Sequence, residues 1–250
     1  MPKPAGKGPG ARVKVPRKFV PGSPIDTTPG NALNVALLGF DAGELYGVDL
    51  ASRAFLRLRL RENEPRPVPD DAANQGHDIR QHRIGDVYRI VLEPGEPLDA
   101  GRPEALWANE LPARIGNVTR RGLRRICSQV MFRERAGALV LGSRARSISY
   151  ADLDASDPSM MLVALHSKSC RLFVDNSGKT LLSFTWGGLE QSLTVRDPRT
   201  CAIARAHQGH PLEREELKRA LGFKIGFALF GYTRVKDRYV EKVVISLLGH

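Results

Sequence analysis

The sequence predicts a mainly β (α+β) protein: an antiparallel meander forming a barrel or sandwich, with one or two packed helices. Three observations carry that expectation. Residues 55–61, Phe-Leu-Arg-Leu-Arg-Leu-Arg, alternate apolar and cationic side chains with the period of two that sends neighbours to opposite faces of a strand. Short apolar runs recur between turn-forming residues, most clearly Asp175-Asn176-Ser177-Gly178 and Gly187-Gly188, which tolerate the positive φ of tight turns. Only two stretches carry a helical pattern, around residues 117–131 and after Pro211.

In chain order, residues 1–30 come first, with Lys3, Lys7, Arg12, Lys14, Arg17 and Lys18 set among prolines and glycines. This composition cannot bury enough apolar surface to offset its ordering entropy, so a disordered basic arm is expected. Residues 31–250 read as a single globular mainly-β domain with long Pro-rich loops at 62–85 and 93–113. The strand at 55–61 should set Arg57, Arg59 and Arg61 in a row on a wet face. Further strands are expected at 87–92, 138–141, 160–165 and 171–174. The hairpin returns through Thr180, Leu182, Phe184 and Trp186, and Gly187-Gly188 leads into 189–195. Asp197-Pro198 should then turn the chain into a strand at 201–204. Strands at 227–235 and 239–247 complete the set, the last apolar enough to lie centrally.

Asn117 is expected to cap the first helix, which places Leu123, Ile126, Cys127, Val130 and Met131 on one face and Arg121, Arg124 and Arg125 on the other. Gly122 weakens it by about 1 kcal/mol relative to alanine. The second helix should begin at Pro211, with Glu213, Glu215 and Glu216 early, Lys218 and Arg219 late, and Gly222 past its end. That order complements the helix dipole.

Charge points to a partner. The formal net charge is +11, with +5 in residues 1–30, −5 in 31–112, +8 in 113–150 and +3 in 151–250. Between Arg114 and Arg146 nine arginines face one acid, Glu134. Cations concentrated on one surface attract phosphates, whereas the same charges scattered among acids cancel within a Debye length of about 8 Å. The 28 arginines outnumber 10 lysines, and no lysine lies between residues 19 and 167, a bias that a GC-rich coding sequence would also produce.

The reading favoured by this map is non-specific nucleic-acid binding to the phosphate backbone. Arg120, Arg121, Arg124 and Arg125 would supply the central contacts, Arg57, Arg59 and Arg61 would extend the surface, and Lys14, Arg17 and Lys18 would add counterion release from the arm. Two other classes stay open. One is an interaction or scaffold protein meeting an acidic protein partner with arginines, and the other an enzyme on a small anionic substrate.

The residues lean against an enzyme and against any cofactor. Ser177-Gly178-Lys179-Thr180 resembles the end of a phosphate-binding loop, but Phe173 stands where its first glycine is needed and the segment is a hairpin turn. Asp70, Asp71, His77, Asp78 and His82 form one set of potential metal donors, and His166, Cys170, Cys201, His207 and His210 another. Neither has ligand spacing, so no metal is expected. The three widely spaced cysteines fit reduced core residues. Apolar runs are too short for a membrane helix and no apolar leader follows Met1, so a cytoplasmic protein without membrane contact is expected. Oligomeric state is left open, since the edges of a meander must be covered, closed or paired.

Overall fold

The computed structural model describes residues 12, 30–41, 44–60, 83–92, 105–108, 113–153, 159–207, 209–233 and 235–249. The protein is mainly β: two antiparallel-rich sheets pack face to face as a sandwich and do not close into a barrel.

The first half of the chain builds one sheet from β1 (Ala32–Asp41), β2 (Glu44–Asp49), β3 (Phe55–Leu60), β4 (Asp86–Val91), β5 (Ala105–Ala108) and β6 (Ala113–Asn117), in the order β5-β3-β2-β1-β4-β6. Helix α1 (Arg120–Val130) follows. The second half supplies β7 (Ser147–Ser149), β8 (Met160–Ala164), β9 (Arg171–Val174), β10 (Thr180–Trp186), β11 (Leu189–Val195), α2 (Pro198–Ala206), β12 (Leu212–Glu213), α3 (Arg214–Leu221), β13 (Ile225–Tyr232) and β14 (Tyr239–Gly249). Its sheet runs β12-β9-β10-β11-β14-β13-β8, with β7 added on β14.

Strand alternation distributes the apolar residues between layers. On β13, Phe227 and Leu229 face the first sheet, while Ala228, Phe230 and Tyr232 face a second core roofed by Ala204 of α2 and by Leu217 and Leu221 of α3. The core between the sheets joins Leu38, Tyr46 and Val48 to Leu162, Leu229, Val243 and Ile245. A third cluster, including Leu33, Leu45, Leu58 and Ile90, covers the far face of the first sheet. Gly39 lets β1 approach β14 closely, because a Cβ there would lie 2.7 Å from Ile245 Cγ2. Ser246 Oγ donates across the same seam to Leu38 O at 2.6 Å.

The predicted hairpin is present: Asp175 Oδ1 accepts from Ser177 N and Lys179 N, both at 2.9 Å, and the chain returns as β10. The third strand of that meander, β11, does not lead to a fourth at 201–204. Asp197 caps a helix by accepting from Thr200 N at 2.9 Å, and Pro198 occupies its first turn, so Cys201 and Ala204 belong to α2. This helix and α3 carry the chain over the sheet, so that β11 pairs with β14 in parallel, and β3 pairs with β5 in parallel too. Residues 138–141 are not a strand either: Val140–Gly142 is a 3-10 turn with Leu141 at φ 51°. The helix expected from Pro211 starts at Arg214, because Leu212 and Glu213 first pair with Leu172 and Arg171 of β9; it ends as expected at left-handed Gly222. β5 occupies part of the loop expected at 93–113. Residues 61–82 and most of 1–30 lie outside the described residues.

Candidate nucleic-acid interface

Helix α1 forms where the apolar pattern permits one buried face. Its cap is Thr119 and not Asn117: Thr119 Oγ1 accepts from Gly122 N at 3.1 Å, while Asn117 is still paired in β6 with Asp86. Ile126 and Cys127 are fully buried in the inter-sheet core, with Leu123, Val130 and Met131 half-buried against it. After the helix, Phe132 N donates to Leu162 O at 2.8 Å, which ties its end to β8.

The opposite face is cationic. Arg120, Arg121, Arg124 and Arg125 are all exposed, and they form two i, i+4 pairs separated by about 6 Å along the axis. The helix contains no acid, and Arg120 and Arg121 occupy its first turn, at the positive end of the dipole. Like-charge pairs at this spacing oppose the helix by roughly 0.2–0.5 kcal/mol each, and a cation at the N-terminus by about 0.3–1 kcal/mol.

Arg53, which the pattern of residues did not single out, supports the helix from below. Asp49 Oδ2 accepts from Ala51 N at 3.1 Å and Ser52 N at 2.6 Å, shaping the β2–β3 turn that holds Arg53 at φ 63°. Arg53 is 5 % exposed and donates through Nε to Gln129 Oε1 at 3.0 Å. Burial lowers its guanidinium below the ordinary value; Asp49 opposes that and the positive charge of Arg125 adds to it. The only sequence signal for this role is the Asp-x-x-Ser turn.

Arg12 is exposed and bridges Asn117 at the end of β6, three residues before α1. One residue of the N-terminal segment is therefore held against the strand that leads into the arginine helix. Lys14, Arg17 and Lys18 fall outside the described residues.

The solvent-facing row on β3 is not found at Arg57. Arg57 is 2 % exposed, and its Nη2 and Nε donate to Glu44 Oε2 at 2.5 and 2.6 Å, with the guanidinium 5.2 Å from the ring centroid of Tyr46. Alternation correctly assigns two faces to β3, but both are buried: Arg57 on the side of Tyr46 and the inter-sheet core, Leu56 and Leu58 in the cluster on the far face. The side chain of Arg59 and the whole of Arg61 lie outside what the structure describes. The arginine block is also divided. Arg114 pairs with Asp86 at 2.9 Å, while Arg133, Arg135, Arg144 and Arg146 follow the chain to the second sheet, where Glu134 Oε1 accepts from Gly187 N and Arg146 O from Lys242 N.

Among the described residues no group of three or more His, Cys, Asp and Glu side chains converges as a metal site. Cys170 Sγ donates to His166 O, Cys201 Sγ to Val195 O, and His210 Nε2 meets Glu216 Oε1 at 2.8 Å. Burial pushes the Cys127 and Cys170 thiols up to about 12. The His77, Asp78 and His82 loop is outside the described residues. Among those residues no helix is long and apolar enough to cross a membrane.

Comparison of the chain with protein-family models, with curated proteins and with solved structures finds no match to any of them.

Proposed function

We propose that this protein binds nucleic acid through its phosphate backbone, with little sequence preference, and that the outer face of α1 is the centre of the interface. The carrying observation is the exposure of Arg120, Arg121, Arg124 and Arg125 on one face of a helix whose other face is anchored in the core. A phosphate between the two i, i+4 pairs relieves their mutual repulsion and favours the positive helix end, and the planar guanidinium fork can donate two parallel hydrogen bonds to it. Arg12, exposed and bridged to Asn117, is a further cation that would extend the same footprint. The aromatic content of 6 % supplies few stacking platforms, which favours contacts to the phosphate backbone over contacts to bases.

The test is fluorescence anisotropy with short single-stranded and duplex oligonucleotides over a salt series. Arg120/Arg121/Arg124/Arg125→Ala should weaken binding on every sequence and flatten the dependence of log K on log salt, by about 0.7–0.9 for each phosphate that the variant no longer neutralises. A chain starting at Asn31 should flatten it further. If no oligonucleotide binds even at low salt, the proposal is wrong and an acidic protein partner becomes the reading to pursue.

A further inference from the structure

A second feature lies away from the outer face of α1. Where β1 and β14 meet, the first turn of α2 and the end of α3 close over a cavity of about 650 Å³, within the roughly 300–1,000 Å³ typical of small-ligand sites. Its walls are apolar: Leu37 and Phe40 from β1, Ile203 from α2, Leu221 and Phe223 at the end of α3, and Leu247 from β14. Phe40, Ile203 and Phe223 are only half-buried, and Ile84 is 41 % exposed, so apolar surface remains accessible at the cavity.

Two arginines, Arg83 and Arg199, line this apolar space, and both residues are exposed. Arg199 makes a long bond from Nη2 to Leu221 O at 3.5 Å. Asp197, the acid among the described lining residues, is engaged in capping α2 through Thr200 N. The lining hydroxyls are likewise in use, with Thr200 Oγ1 donating to Asp197 and Ser246 Oγ donating to Leu38 O. Two arginines against one aspartate leave a formal surplus of one positive charge beside the apolar walls. That balance suits a monoanion with an apolar body better than a dianionic phosphate. We propose that this cavity binds a small amphiphilic carboxylate, its hydrocarbon part between β1, α2 and α3 and its carboxylate on Arg83 and Arg199.

The site is tested on the full chain by calorimetric titration with dodecanoate below its micelle concentration, beside dodecanol and butyrate. Dodecanoate should bind as one equivalent, at least tenfold more tightly than either control, because each control lacks one half of the recognition. Arg83→Gln/Arg199→Gln should weaken dodecanoate at least tenfold and leave dodecanol unchanged. Ile203→Trp, checked for folding by circular dichroism, should abolish binding by filling the cavity. Arg120/Arg121/Arg124/Arg125→Ala should bind as the parent does, which separates this site from the basic face. Equal binding of dodecanoate and dodecanol, saturation at several equivalents, undiminished binding by folded Ile203→Trp, or no binding at all would each overturn the assignment. If Ile203→Trp does not fold, the arginine pair and the two control ligands still decide.

Discussion

Arg57 and Glu44 show how one residue's role depends on what covers it. The pair is buried, its charges are removed from water, and the stacking of Arg57 on Tyr46 adds an aromatic face to the carboxylate interaction. Removing one partner leaves the other charged and enclosed, so Arg57→Met should destabilise the fold by about 3–5 kcal/mol in urea unfolding. Arg57→Met with Glu44→Leu should recover most of that loss. Lys242 is a second buried charge: Nζ donates to Val140 O at 3.1 Å and to Ser143 O, and burial lowers its ammonium from 10.5 to about 8. Between pH 8 and 10.5 the unfolded chain therefore binds more protons at this site than the folded one, and stability contributed by Lys242 rises with pH. Urea midpoints at about pH 7, 9 and 10 should show the parent gaining on Lys242→Met as pH increases; a constant or narrowing difference would contradict the burial effect. Neither residue's fate is legible in sequence, where alternation reads Arg57 as solvated and nothing local marks Lys242 as buried.

Among the elements, β1 and α1 carry the clearest consequences. A side chain at Gly39 would enter the space of Ile245 and Ser246, so Gly39→Ala should cost about 1–3 kcal/mol by forcing β1 from β14, read as a lowered melting temperature. Thr119→Ala removes the acceptor of the Gly122 N–H and should cost about 1 kcal/mol, with a parallel drop in oligonucleotide affinity if α1 presents its arginines to phosphates. The amphipathic character of α1 is readable from the sequence, because Leu123, Ile126, Cys127 and Val130 recur at helical spacing against a core they do fill. Its start is displaced because Asn117 is claimed by the β6 ladder, a long-range pairing with no local signature. The same holds for α2, where a capping Asp and a first-turn Pro also fit the reading of a tight turn.

For the whole molecule, the sandwich ties its arginine-bearing segments to different elements. Helix α1 packs its apolar face on the inter-sheet core and leaves its arginines exposed, whereas the segment 133–146 is tied to the β10–β11 turn and to β14. Residues Arg133, Arg135, Arg144 and Arg146 should consequently contribute less to oligonucleotide binding than the four on α1. Their combined replacement by Ala should shift affinity several-fold less than Arg120/Arg121/Arg124/Arg125→Ala in the same salt series. Equal shifts would point to one ligand wrapping both surfaces.

The amino-acid sequence by itself determined the mainly β class, the Asp175–Gly178 hairpin, the central apolar β14, the capped end of α3 and the two faces of α1. Each depends on residue spacing or turn chemistry within a few residues. Tertiary structure alone decided that both faces of β3 are covered, that β11 lies parallel to β14, that Arg12 bridges Asn117, and that Arg83 and Arg199 line one apolar cavity. Those outcomes depend on which elements pack together over long separations, and periodicity along one strand carries no record of what lies above it.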